Sequence, residues 1–172
     1  MNAEQMTEAQ MRALSDEMLG VYNRHDVAAW VEHLTDDIVW TEPTLPEPAR
    51  GRQAAAAALA DTFTAFPDLQ VRDLTVYPDV LGQTAVVTWS LSGTMTGPLE
   101  NGTPATGRGM ELSGANLARF RDDRISEYTL YYDSLAMMQQ LGLLPKSTGL
   151  GFKAIVLADV VAGKARKALQ RH

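Results

Sequence analysis

Cysteine is absent from this chain of 172 residues. Disulfide bonds, thiolate nucleophiles and cysteine-ligated metal sites are therefore excluded. The sequence also lacks a histidine cluster, an HExxH pattern and a glycine-rich phosphate loop. Metal and nucleotide mechanisms then have none of their usual residues, so we expect a protein that needs no cofactor and no metal.

Basic residues are outnumbered, with 15 Lys and Arg against 21 Asp and Glu and a formal net charge of −6. This balance argues against nucleic acid as the main partner. No apolar run approaches the roughly 20 residues of a membrane span, and the polar, acidic amino terminus is unlike a signal peptide. We therefore expect a cytoplasmic globular protein with no stable membrane insertion.

Helical periodicity dominates the first third of the chain. Thr7 and Gln10 form a capping box for a first helix, Asp26 is predicted to cap a second, and an alanine-rich third helix runs from about 52 to 67. One short strand pattern, at 38–43, precedes the third helix, and four more follow it at 71–77, 84–94, 110–120 and 125–132. Three helices followed by an antiparallel meander predict an α+β fold and not a doubly wound parallel sheet.

The period of the sequence changes at Asp133, from strand to helix. Asp133 is therefore predicted to cap a helix, as Asp residues at this position commonly do. The alternative is that its carboxylate does chemistry where the strand meets the helix.

Pairing across the last hairpin predicts which side chains share a face. If Asp122-Asp123 is a two-residue turn, Asn116 lies opposite Thr129. Alternation then gives one face a polar set that would either line a pocket or form a solvated outer face: Asn116, Thr129, Tyr131 and Asp133. The other face is apolar and carries Leu117, Tyr128, Leu130 and Tyr132. Such a face suits contact with a second subunit, so we expect a homodimer. A shift of one residue would exchange the two sets.

The run YYDSLAMMQQLGLLP, preceded by ARFRDDRISEY, resembles the closing strand and helix of SnoaL-like polyketide cyclases. The segments YNRHDVAAW, GTMTG and ATG extend the resemblance from about Tyr22 to Pro145. It implies a cone-shaped nuclear-transport-factor-2-like fold, in which a curved antiparallel sheet carries helices on its concave face. It also implies one domain over 1–145, with Asp133 as catalytic acid/base.

The segment DDIVWTEP resembles the strand of ketosteroid isomerases in which an acidic residue before proline is the base. The resemblance implies that role for Glu42 and places Asn116 as donor to the enolate oxygen. Met18 stands where the isomerases have a tyrosine. The cyclases commonly carry a histidine on the penultimate strand, whereas the histidines here are His25, His33 and His172.

A carboxylate in an aromatic cone suits proton transfer, because desolvation raises its pKa toward neutrality. We expect enolisation or aldol-type ring closure of a hydrophobic, carbonyl-bearing cyclic or polyketide-like small molecule. The alternatives are an isomerase, an epoxide-hydrolase-like enzyme using Arg119, or a non-catalytic binding protein. The side chains expected to contact the substrate are Trp40, Trp89, Tyr131, Thr129, Tyr22 and Met18. Trp40 and Trp89 alternatively pack in the core.

Residues 146–172 form a basic extension with six Lys and Arg and one Asp. Apolar residues at helical spacing predict an amphipathic helix that docks on the acidic body. A dimer arm, a lid over the cone and weak membrane adhesion are the alternatives.

Overall fold

The computed structural model describes residues 5–145 and the isolated positions Gly149 and Leu157. The predicted carboxyl-terminal helix lies outside the described residues. In chain order the elements are α1 (Glu8–Asn23), α2 (Val27–Glu32), β1 (Leu34–Thr41), β2 (Ala49–Arg50), α3 (Gly51–Ala65), β3 (Gln70–Asp79), β4 (Thr84–Thr94), β5 (Gly109–Arg121), β6 (Arg124–Tyr132) and α4 (Ser134–Gln140).

The helix starts follow the capping residues that the sequence predicts. Thr7 forms a reciprocal capping box with Gln10 at the start of α1. Asp26 accepts a hydrogen bond from the backbone N–H of Ala29 at α2, and Asp133 does the same for Ala136 at α4. Each side chain satisfies a backbone donor that the first helical turn leaves unpaired.

The six strands form one curved, unclosed sheet in the order β2-β1-β6-β5-β4-β3. This confirms the predicted α+β fold. One pair departs from the expected antiparallel arrangement, since β1 runs parallel to β6 while every other neighbouring pair is antiparallel. The parallel pair brings the end of β1 beside the second half of β6, with Thr41 next to Thr129.

The last hairpin contains a β-bulge that the turn alone does not predict. Asp122 and Asp123 both have positive φ (52° and 58°), as a two-residue type I′ turn requires. Phe120 pairs with Ile125, as expected, but Arg119 then pairs with Glu127. Ser126 is therefore the extra residue of a bulge, and every later pair is shifted by one.

Because of the bulge, the β6 side chains after Ser126 lie on the opposite face from the one predicted. The predicted pairing of Asn116 with Thr129 is therefore wrong. Asn116 lies opposite Leu130, and Thr129 lies opposite Leu117. Two contacts favour the bulge: the backbone N–H of Ile125 donates to the carbonyl of His33 at 2.9 Å, and the Ser126 hydroxyl donates to the carbonyl of Arg119 at 3.3 Å. Both Ile125 and Ser126 are buried as a result.

The hydrophobic core lies between the helices and the concave face of the sheet. Its fully buried large side chains are Met11, Leu34, Ile38, Leu59, Leu69, Met95 and Leu141. His25 is structural, since its Nε2 lies 2.9 Å from the carbonyl oxygen of Leu69 and its ring stacks on Phe63. In the described part of the chain, no helix is both long and apolar enough to cross a membrane.

Candidate active site

A cavity of about 680 Å³ opens between the helices and the concave face of the sheet. This volume suits a small organic ligand. Most of its lining is apolar or aromatic, including Trp40, Trp89, Leu59, Phe66, Met110 and Leu112. Polar groups enter this lining at a few points, and these points define the chemistry of the site.

Glu42 is one of three acidic residues in the described part of the chain that line the cavity, with Asp61 and Glu100, and it lies immediately after β1. It follows the last strand residue, Thr41, and precedes Pro43, which cannot continue the backbone hydrogen bonding of the strand. The Glu42 carboxylate lines the cavity and accepts a hydrogen bond from the Thr44 hydroxyl at 2.5 Å. Burial raises the pKa of Glu42, and the bond from Thr44 opposes part of that rise. A carboxyl group with a raised pKa is suited to accept and return a proton near neutral pH.

The negative charge of Glu42 acts on three tyrosine hydroxyl groups whose residues line the cavity. Burial is the main cause that raises the pKa of Tyr22, Tyr128 and Tyr132, and the negative charge of Glu42 raises each further. The pKa of Tyr132 reaches about 12. All three phenols therefore remain protonated near neutral pH and can donate hydrogen bonds. The Tyr132 hydroxyl also lies 3.3 Å from that of Thr44, which connects it to the Glu42 carboxylate.

Asn116 is buried on β5 and lines the same cavity. Its Oδ1 accepts a hydrogen bond from the indole N–H of Trp89 at 3.0 Å. Among the described residues, Nδ2 of Asn116 has no acceptor. It is also absent from the fully buried polar atoms without a partner, so part of its surface is accessible. The amide N–H group therefore opens onto the cavity and is available to a ligand oxygen.

Asp133 lies outside the cavity, so the expectation that it shares the pocket with Glu42 and Asn116 is wrong. The bulge turns Tyr132 inward, and the next residue faces away from the lining. The Asp133 side chain is exposed, and its Oδ1 accepts the Ala136 N–H at 2.8 Å. Of the two interpretations of Asp133, the structure supports the helix cap.

Of the six side chains predicted to contact the substrate, four line the cavity and two do not. Met18, Tyr22, Trp40 and Trp89 line the cavity. Thr129 and Tyr131 do not, because the bulge places them on the outer face, where Tyr131 is 57% exposed.

Several polar residues of the cavity are missing from the sequence-based prediction of the site, among them Tyr128, Tyr132 and Thr44. The sequence-based register places Tyr128 and Tyr132 on the outer face. A shift of one residue in the pairing of β5 with β6 would have predicted both as cavity residues. Thr44 lies in a proline-rich loop, where neither strand nor helix periodicity predicts a direction for its side chain. The cavity therefore holds more hydroxyl donors than the sequence indicates.

Arg119, the cation considered for an epoxide-hydrolase mechanism, is half exposed and does not line the cavity. Its guanidinium pairs with Glu127 at 3.2 Å across the outer part of the hairpin. Among the residues that the structure describes, no group of three or more His, Asp or Glu side chains is arranged to hold a metal ion.

The chain matches the family model of SnoaL-like polyketide cyclases over residues 12–141. It therefore belongs to the SnoaL-like polyketide cyclase family. A comparison with curated proteins gives no significant match.

Several solved structures share the fold. AclR from Streptomyces galilaeus, described as a candidate hydroxylase, is 21% identical, with a TM-score of 0.69 over 96% of this chain and 99% of its own. A candidate polyketide cyclase from Xanthomonas campestris is 23% identical, with a TM-score of 0.70 over 77% and 97%. IdmH from Streptomyces antibioticus, also a candidate polyketide cyclase, is 26% identical, with a TM-score of 0.60 over 76% and 97%.

Proposed function

We propose that this protein is a general acid/base enzyme that uses no cofactor and enolises a carbonyl-bearing cyclic or polyketide-like small molecule, with aldol-type ring closure as the overall reaction. The observation that carries the proposal is the position of Glu42. Its carboxyl group has a raised pKa and faces a large aromatic cavity that also contains the free amide N–H of Asn116. Membership of the polyketide cyclase family supports the same class of reaction.

In the proposed mechanism, the Glu42 carboxylate removes a proton from the carbon next to a substrate carbonyl. The C–H electron pair forms the enolate double bond, and the carbonyl π pair moves to the oxygen. Asn116 Nδ2 donates a hydrogen bond to that oxygen as negative charge develops, which lowers the barrier because the donor is already in place. The enolate carbon then attacks a second carbonyl of the same substrate, and the new alkoxide takes the proton back from Glu42.

The protonated tyrosines Tyr22, Tyr128 and Tyr132 supply further hydrogen-bond donors beside the carboxylate. The mostly apolar lining offers few groups that bind water, which helps to protect an enolate from premature protonation. If the proton instead returns to a different carbon of the substrate, the same residues catalyse double-bond migration. An isomerase is therefore the second candidate, and the shared carboxylate and donor favour it.

Proton exchange tests the proposal without the natural substrate. We would incubate the protein in D₂O with 2-tetralone, a bicyclic ketone with acidic α-hydrogens, and follow their replacement by NMR. Glu42→Gln preserves size and should slow exchange by about 10²–10⁴-fold, the usual contribution of a general base. The matched control is Glu47→Gln in the same loop, where the glutamate is exposed and does not line the cavity.

Two results would contradict the proposed activity. Equal exchange by the unmodified protein and by Glu42→Gln would remove Glu42 from the chemistry. Absence of exchange while 2-tetralone is bound in the cavity, as shown by protein NMR shifts of the lining residues, would favour the binding-protein alternative.

We also propose a homodimer that forms through the outer face of the sheet. The partner-facing set differs from the sequence-based one, since Leu117 remains outside while Tyr128, Leu130 and Tyr132 line the cavity. Tyr77, Val86 and Leu117 are paired in register across β3, β4 and β5, and they are 58%, 40% and 36% exposed. This row of exposed apolar side chains, with Tyr131 nearby, is typical of a surface that another subunit covers.

A further inference from the structure

Trp89, Gly114 and Tyr132 form one row across the concave face of the sheet. Trp89 on β4 pairs with Gly114 on β5, and Gly114 pairs with Tyr132 on β6. Because glycine has no side chain, the indole of Trp89 lies over it. A Cβ added to Gly114 would be 2.6 Å from Cζ2 of Trp89, closer still to Cη2, and 2.7 Å from the backbone carbonyl oxygen of Tyr131, so the indole or the β6 backbone would have to shift.

The indole in this position controls the orientation of the Asn116 amide. A tryptophan Nε1–H is a donor only, so the atom it contacts at 3.0 Å must be the amide oxygen. That contact distinguishes Oδ1 from Nδ2, the two atoms that an amide flip would exchange. The flipped amide would turn its oxygen toward the cavity and place Nδ2–H against the indole N–H, leaving two donors facing each other.

We propose that Trp89 is a positioning residue that holds the Asn116 amide with its N–H group toward the reacting carbonyl oxygen, and that Gly114 provides the space Trp89 needs to do so. This inference rests on the proposed function, because it concerns the donor that stabilises the enolate. Its consequence is that loss of the indole N–H weakens anion stabilisation even though Asn116 itself is unchanged. Because the bond is buried, removal of the indole takes away the donor that holds Oδ1 in place.

A naphtholate tests this proposal, since its oxygen carries negative charge on a bicyclic ring as an enolate does. We would use the full chain with Glu42→Gln, which imitates the protonated carboxylic acid that stands beside the enolate. The ionised fraction of bound 2-naphthol is read from its absorbance spectrum across pH, because absorbance reports the ground state, and naphthalene affinity reports the apolar cavity alone.

Asn116→Leu should lower the affinity for naphtholate relative to neutral naphthol by roughly 10- to 100-fold, as expected for one hydrogen bond to a charged group. Trp89→Phe should cause a loss of about tenfold or more with Asn116 intact. The matched control is Trp40→Phe, which also removes an indole from the cavity lining. The N–H of the Trp40 indole contacts no acceptor among the described residues. Trp40→Phe should change the affinities for both ligands equally and leave the ionised fraction unchanged.

The outcomes separate this inference from the proposed function. If Trp89→Phe ionises bound naphthol as well as the parent does while Asn116→Leu does not, the positioning role is wrong and the donor role of Asn116 stands. If Asn116→Leu has no effect, Asn116 is not the anion donor and both ideas fail. If Trp40→Phe lowers the ionised fraction as much as Trp89→Phe, the effect belongs to cavity polarity and the positioning role is again wrong.

Discussion

Substitution of Asp133 distinguishes a helix cap from a catalytic acid. The single hydrogen bond from Ala136 N–H to Oδ1, at 2.8 Å, is the interaction that Asp133→Ala removes. Because the residue is exposed, we expect the free energy of unfolding to fall by about 1 kcal/mol, within the usual range of 0.5–2 kcal/mol for a lost N-cap. For a domain of this size, that loss lowers Tm by roughly 2–4 °C. Asp133→Asn keeps an acceptor oxygen and should unfold like the parent.

Urea unfolding gives the free energies, and the tetralone exchange assay gives the activity of the same preparations. We expect Asp133→Asn to retain exchange, since its side chain is outside the cavity. Loss of exchange in Asp133→Asn, with unfolding unchanged, would refute the placement of the chemistry at Glu42. An Asp133→Ala variant as stable as the parent would contradict the capping argument.

Three further predictions concern the proton, the stability and the assembly. Thr44→Val removes the bond that lowers the pKa of Glu42, so ¹³C NMR titration should show a higher pKa for that carboxyl group; an unchanged titration would contradict the contact. The raised pKa means that the folded state holds the Glu42 proton more tightly than the unfolded state, so stability falls as pH rises through the unfolded and then the folded pKa. Glu42→Gln should therefore be more stable than the parent at about pH 7, and urea unfolding should show this gain shrinking toward about pH 4. Light scattering at micromolar concentration should show a dimer that Leu117→Glu disrupts, and a monomeric parent would exclude assembly through the outer face.

The helices and the fold class follow from local signals in the sequence. Thr7, Asp26 and Asp133 each cap the helix that their positions predict, because the backbone donors they satisfy lie within three residues. The switch from helical to strand periodicity after α3 likewise predicts the α+β architecture. Glu42 and Asn116 both reach the cavity, as their resemblance to isomerase residues implies.

The register of the last hairpin depends on contacts that are distant along the chain. A two-residue turn determines only the nearest pairs, Phe120 with Ile125 and Arg121 with Arg124. The bulge at Ser126 comes next, and it accompanies the bond between Ile125 and His33, residues that are almost a hundred positions apart. Sequence alternation cannot reveal a shift of one residue when both faces carry tyrosines. For this reason the cavity gains Tyr128 and Tyr132 and loses Thr129, Tyr131 and Asp133.

The pH dependence of tetralone exchange tests most directly whether Glu42 is the base of this cavity. For the free enzyme, kcat/KM should rise with pH along a limb that reflects one ionisation, with a pKa above the ordinary glutamate value of 4.5 because burial disfavours the carboxylate. Glu42→Gln should abolish this limb, and Glu47→Gln should leave it in place. A limb that persists unchanged in Glu42→Gln would belong to another group and would contradict the account.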